Sequence, residues 1–242
     1  MGARTDALRA AIDAAWQAFD LPTPATTGVC QNCCMDPAIE ADFLNRPARD
    51  LPDAYIRDWY FAACDAGISH AHVAWFLPRV LEMLAAGRDV ASVGAEVTFS
   101  RLPLTGFPDR WPDRQVRAVT AFARAWFDAL IHGDLPGPDP GLDPALCMFG
   151  EGAIDILPLL ALLDGLSDAE LAGLLHREWV FAQAAHIGFT AFWGREPARA
   201  QAWAWYTSED LLNRMERAAY AGHEQAFAVH DAIARARADL GH

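Results

Sequence analysis

The stretch Ser69-His70-Ala71-His72-Val73-Ala74-Trp75-Phe76-Leu77-Pro78-Arg79-Val80-Leu81-Glu82-Met83-Leu84-Ala85-Ala86 carries its apolar residues on one helical face. Val73, Phe76, Leu77, Val80, Leu81 and Leu84 recur at steps of 3, 1, 3, 1 and 3, the spacing of a helix with a buried stripe. Gly87 follows as a C-cap. Pro78 lies inside the stripe, so the helix either kinks there or begins there, because proline removes a ladder donor and crowds the preceding turn.

Outward from this stretch the same signature repeats. Leu8, Ala11, Ile12, Ala15, Trp16 and Phe19 place a helix over 3–20, ended by Leu21-Pro22-Thr23-Pro24. Asp36-Pro37 reads as an N-cap with proline at the first helical position, opening a short helix to about Asn45. Pro52-Asp53 opens another, with Tyr55, Ile56, Trp59, Tyr60 and Ala63 on one face. A weaker helix is expected over 89–99. A strong one is expected over 112–132, with Val116, Val119, Phe122, Trp126, Phe127 and Leu130 inward. His132 to Asp143 is rich in Pro, Gly and Asp and reads as a long surface loop or linker. Helices resume over 152–164. Ser167-Asp168-Ala169-Glu170 matches a capping box for a helix reaching Ile187. Further helices are expected over 196–205, from the Thr207-Ser208-Glu209-Asp210 cap to Ala221, and from His223 to Leu240. Strand signals are almost absent, and no fixed repeat period emerges. The expected fold is all-α: about ten antiparallel helices forming a bundle or an irregular HEAT-like solenoid. They would make one domain over 1–242, with a subdivision possible at 132–143.

Composition sets bounds on function. The 242 residues are 53% hydrophobic, enough for a sizeable core. The formal net charge is −13, which repels phosphate backbones and makes nucleic acid a poor partner. The charge is uneven: nine Asp or Glu and no Arg lie between Arg124 and Arg177. That stretch reads as a solvated acidic face or as a surface for a basic partner or a divalent cation. No run of about 18 uncharged apolar residues exists, so no membrane span is expected. Met1-Gly2-Ala3-Arg4 leads into an amphipathic helix, so no secretory leader is expected either. Five cysteines are an odd number and too few for a disulfide framework in a chain of this size. A soluble cytoplasmic protein with reduced thiols follows.

Chemistry concentrates at Cys30-Gln31-Asn32-Cys33-Cys34-Met35-Asp36-Pro37, which holds three of the five cysteines. Three readings stand side by side. Cys30, Cys33 and Cys34 form one half of a metal site, zinc being the fitting ion, since Cys-x-x-Cys is a usual half of a tetrahedral zinc set. The other half then comes from elsewhere, with Cys64, His70 and His72 nearest in sequence. Alternatively a thiol is activated at the N-terminus of the helix opened by Asp36-Pro37, although no thioredoxin-like βαβ context surrounds it. Or the thiols only pack where a loop docks on helices.

Other features read as bland. His70 and His72 are two apart and do not share a helix face, and His223 and His230 read as surface residues. No Gly-x-Ser-x-Gly elbow, phosphate loop or dinucleotide fingerprint occurs, and the Asp-rich loop 134–143 lacks EF-hand spacing. The nine Trp, densest at Trp203-Ala204-Trp205-Tyr206, read as core with an aromatic groove as the alternative.

Several stretches taken together carry a resemblance. They are Cys30-x-x-Cys33-Cys34, Leu51-Pro52, Trp75-Phe76-Leu77-Pro78-Arg79-Val80-Leu81-Glu82, Trp111-Pro112 with Val116 to Leu130, and Leu212-x-x-Met215-Glu216-x-Ala218. The chain resembles an uncharacterised family of bacterial all-helical proteins with an N-terminal Cys-x-x-Cys-Cys and a Phe-Leu-Pro-Arg helix, mainly over residues 30–130. The resemblance implies an all-helical fold and no particular activity. The expected function is a non-enzymatic helical scaffold that recognises a protein partner. The alternative is a metal-binding or thiol-dependent protein centred on Cys30, Cys33 and Cys34.

Overall fold

The computed structural model describes residues 2–30, 34–62, 67–180, 187 and 191–239. Among these the fold is all-α, with no β-strand. The chain divides into two units. One comprises Met1–Asp139 with Glu151–Ile154, and the other Pro140–Gly150 with Asp155–His242.

In the first unit, helices α1 (Ala3–Ala18), α2 (Pro37–Asn45), α3 (Asp53–Ala62), α4 (His70–Ala85) and α5 (Asp113–Ile131) follow the apolar periodicity. Helix α1 packs along α5 and against α4. Helix α4 is the centre of this core: Val73, Phe76, Leu77, Val80, Leu81 and Leu84 are all buried, as the stripe requires. Pro78 does not start a helix. Helix α4 runs through it from His70 to Ala85, and the ring is buried with the stripe. The helix ends in a Schellman motif: Gly87 N–H donates to Leu84 O at 3.0 Å and Arg88 N–H to Met83 O at 2.9 Å, with Gly87 at φ +65°. Gly87 is required there twice over, because a Cβ would lie 1.9 Å from Pro136 O. On α5 the buried face is turned slightly from the expected one: Val119, Phe122, Trp126 and Phe127 are buried, whereas Val116 and Leu130 are half-buried.

The Phe-Leu-Pro-Arg segment is a structural hub. Arg79 donates to Asp53 Oδ1 at 2.8 Å, Glu82 Oε2 at 3.0 Å and the Leu51 carbonyl at 3.0 Å. Glu82 Oε1 accepts the Trp16 indole N–H at 2.8 Å, and Asp53 Oδ2 accepts from Arg88 at 2.7 Å. The starts of α3 and α4's second half are thereby tied to α1 through partly buried, charge-assisted bonds.

The second unit contains α6 (Leu142–Glu151), α7 (Leu157–Asp164), α8 (Asp168–Val180), α9 (Glu196–Tyr206), α10 (Glu209–Tyr220) and α11 (Glu224–Asp239). Helices α8, α10 and α11 pack on one another, and α7 packs on α9. The capping box forms as expected: Ser167 N–H donates to Glu170 Oε2 at 3.0 Å and Glu170 N–H to Ser167 Oγ at 3.3 Å. Ser208 caps α10 through Leu211 N–H at 3.1 Å.

Two expectations fail. No α-helix spans 89–99. A 3-10 turn at Ala95–Val97 stands there, entered through Gly94 at φ +131°, which breaks the helical path. Helix α6 was expected as loop up to Asp143. It begins at Leu142, with Pro144 tolerated in its first turn. Nearly every residue of α6 is buried, so it has no polar face and no amphipathic period to read. The expected end of α8 at Ile187 lies beyond the last described residue of that helix.

Candidate functional site: the thiol segment

The thiol segment begins on a firmly held connector. Thr27 is buried, and its carbonyl accepts the indole N–H of Trp59 on α3 at 2.8 Å. The Thr27 hydroxyl donates to Glu40 Oε1 of α2 at 2.5 Å. Next to it, Thr26 Oγ1 lies 3.1 Å from His72 Nε2. The Nδ1 of that ring accepts the backbone N–H of Ser69 at 3.1 Å, taking the place a Glu or Gln holds in a capping box at the start of α4. With Nδ1 accepting, Nε2 carries the proton and donates to Thr26, so His72 is the neutral tautomer. Burial pushes its pKa down, partly offset by the backbone of Gly67. Gly28, at φ +72°, lets the chain pass flat against this ring, where a Cβ would sit 2.5 Å from Nδ1.

The segment then meets the end of α3. Cys30 N–H donates to Ala62 O at 3.4 Å. On the other side of residues 63–66, a Cβ on Gly67 would lie 3.1 Å from Gly28 O. Residues 28–30 therefore run beside both described ends of the α3–α4 connection, the connection that contains Cys64 in sequence.

Of the sequence candidates, Cys30 and Cys34 are half-buried, whereas Cys147 on α6 is fully buried. Cys147 shows what a packing cysteine looks like in this protein, and the thiol segment differs from it. Cys33 and Cys64 lie outside the described residues. Both nitrogens of His72 are engaged, as above. His70 Nε2 is 2.7 Å from Oε1 of the buried Gln115, and its ring stands edge-on to Trp111 at 4.7 Å. His223 is exposed at the entry to α11, and His230 is half-buried. Among the described residues no group of three His, Cys, Asp or Glu could hold a metal, a set that does not include Cys33 or Cys64. Helix α2 starts as the sequence indicates, with Asp36 Oδ1 accepting Ala38 N–H at 2.7 Å. That carboxylate takes the amide a thiolate at the helix start would use.

Sequence reasoning missed two carboxylates in the second unit, Asp143, which is buried, and Glu178, which is half-buried. Asp143 is 1% exposed, and its oxygens accept Ala191 N–H and Trp193 Nε1–H, both at 2.8 Å. Glu178 accepts the Leu142 and Asp143 N–H groups at 3.0 Å each, closing the N-terminus of α6. Burial raises the Tyr206 pKa, and the charges of Asp143 and Glu178 add to it. These donors satisfy the carboxylates and make the pair a structural anchor. The Asp-rich sequence gave no sign that one Asp is buried. Of the densest aromatic run only Tyr206 is core; Trp203 and Trp205 are half-buried, and the Trp205 indole N–H donates to Asp164 at 2.8 Å.

No family model, curated protein or solved structure matches the chain.

Proposed function

We propose that this protein binds a zinc ion through the thiolates of Cys30, Cys33 and Cys34, with Cys64 as the fourth ligand. One observation carries the reading: Cys30 N–H bonds to Ala62 O, two residues before Cys64. Cys64 follows Ala62 by two positions in sequence. On this reading the connection after α3 supplies the half-site that Cys-x-x-Cys lacks in sequence. The two histidines that compete for the role are engaged elsewhere. Four thiolates close the coordination shell, so the ion is structural: it clasps the 30–34 segment to the α3–α4 connection and leaves no open position for substrate. Zinc content measured by plasma mass spectrometry tests this. About one zinc per chain, lost in Cys33→Ser, is expected. A metal-free wild-type chain, purified without chelator from zinc-replete medium, overturns it.

A second reading is a non-enzymatic scaffold that recognises a protein partner. It is favoured by Phe61 and Val93, 75% and 68% exposed, which share the lining of one notch of about 220 Å³. A stoichiometric complex lost in the Phe61→Ser/Val93→Ser variant, with zinc content unchanged, decides for it. The net charge of −13 argues against nucleic acid in either case. No described helix is long and apolar enough to cross a membrane.

A further inference from the structure

A cavity of about 630 Å³ opens in the first unit, between the end of α1, the connector that follows it, the end of α2 and Trp75 of α4. No cysteine lines it. Its size falls within the range of roughly 300–1,000 Å³ typical of small-ligand sites. Phe19 and Trp75, 2% and 3% exposed, form the apolar floor, and the half-buried Trp16 lines one side with a ring face covered by Arg49. Trp16 cannot rotate freely, because its indole N–H is bonded to Glu82, which Arg79 holds in turn.

The charges around this wall differ in their commitments. Arg46 is spent on Asp42 at 2.7 Å. Arg49 is not: its guanidinium lies 4.4 Å over the Trp16 ring, and it has no ion pair or hydrogen bond among the described residues. Asp20, on the connector, likewise has none. The cavity thus presents one uncommitted guanidinium, preset by stacking, and one uncommitted carboxylate beside a fixed aromatic wall. A neutral apolar ligand would desolvate both charges without replacing their water. A polyanion would meet Asp20 and a chain of net charge −13. A zwitterion with an aromatic body satisfies all three elements: its carboxylate pairs with Arg49, its ammonium with Asp20, and its ring packs on the wall.

We propose that this cavity binds a free aromatic amino acid. The site is independent of the zinc reading. Isothermal titration of the full chain with L-phenylalanine, phenylacetate and phenethylamine tests it. L-Phenylalanine should bind with a Kd on the order of 0.1–1 mM, and Arg49→Gln and Asp20→Asn should each weaken it about tenfold. Phenylacetate should lose affinity only in Arg49→Gln, and phenethylamine only in Asp20→Asn. Both side chains are exposed, so the variants should keep the wild-type far-UV circular dichroism. No saturation by L-phenylalanine at about 10 mM, or a Kd unchanged within about twofold in Arg49→Gln, overturns the proposal.

Discussion

Gly28→Ala and Gly133→Ala make a matched pair of perturbations. The two glycines have nearly the same backbone, φ +72° and φ +71°, and both belong to the first unit. An L-residue pays about 1–2 kcal/mol to adopt that conformation, so the backbone cost is shared. The surroundings differ. At Gly133 nothing lies within 4 Å of the new Cβ. At Gly28 the Cβ meets His72 Nδ1 at 2.5 Å, Cε1 at 2.9 Å and Cγ at 3.1 Å, so the ring must move. Moving it breaks the bonds to Ser69 N–H and Thr26 Oγ1, worth about 1 kcal/mol each. Gly133→Ala should therefore lose about 1–2 kcal/mol and Gly28→Ala about 3–4 kcal/mol, a difference near 2 kcal/mol. Urea denaturation followed by far-UV circular dichroism measures both on the same scale. Equal losses, within about 0.5 kcal/mol, would refute the idea that His72 clamps the connector leading to the thiols.

Three further outcomes follow from the geometry. Gly87→Ala places a Cβ 1.9 Å from the Pro136 carbonyl oxygen and strains a left-handed cap, so its urea midpoint should fall by the equivalent of about 3 kcal/mol or more. His72 is held neutral and its folded pKa is lowered from 6.5, so the unfolded chain takes up its proton first as pH falls. The stability it contributes is complete above about pH 6.5 and is lost as pH drops through the folded pKa; the decline in urea midpoint from pH 8 to pH 5.5 should be shallower in His72→Gln than in wild type. Trp193→Phe leaves the buried Asp143 carboxylate short of one donor and should cost the second unit about 2–3 kcal/mol by hydrogen exchange of α6, more than the same change at Trp205, whose partner Asp164 is exposed.

Which parts of the fold could be read in advance depended on how clearly each helix repeats its apolar spacing. Helix α4 was legible because Val73, Phe76, Leu77, Val80, Leu81 and Leu84 repeat at helical spacing over three turns, even though Ala74, Trp75, Pro78 and Met83 off that stripe are buried as well. The caps at Asp36, Ser167 and Ser208 were legible because each uses local chemistry within three residues. Helix α6 was hidden by its burial on all sides. The Pro78 alternatives could be separated only by tertiary structure, since a stripe that continues across a proline fits either. For the site, the sequence marked the three clustered thiols, but the relation between Cys30 and Ala62 is a contact across 32 positions that no local pattern encodes. The same holds for Arg49 over Trp16 and for Trp193 on Asp143, both long-range pairings of residues that are unremarkable in their own neighbourhoods.

The central claim, a thiolate-bound zinc joining the 30–34 segment to the α3–α4 connection, is tested most directly by zinc-edge X-ray absorption of the full chain. Four sulfur scatterers at about 2.3 Å are expected, falling to three in Cys64→Ser. A chain that takes up no zinc, or a zinc shell of nitrogen and oxygen unchanged by Cys64→Ser, would contradict it.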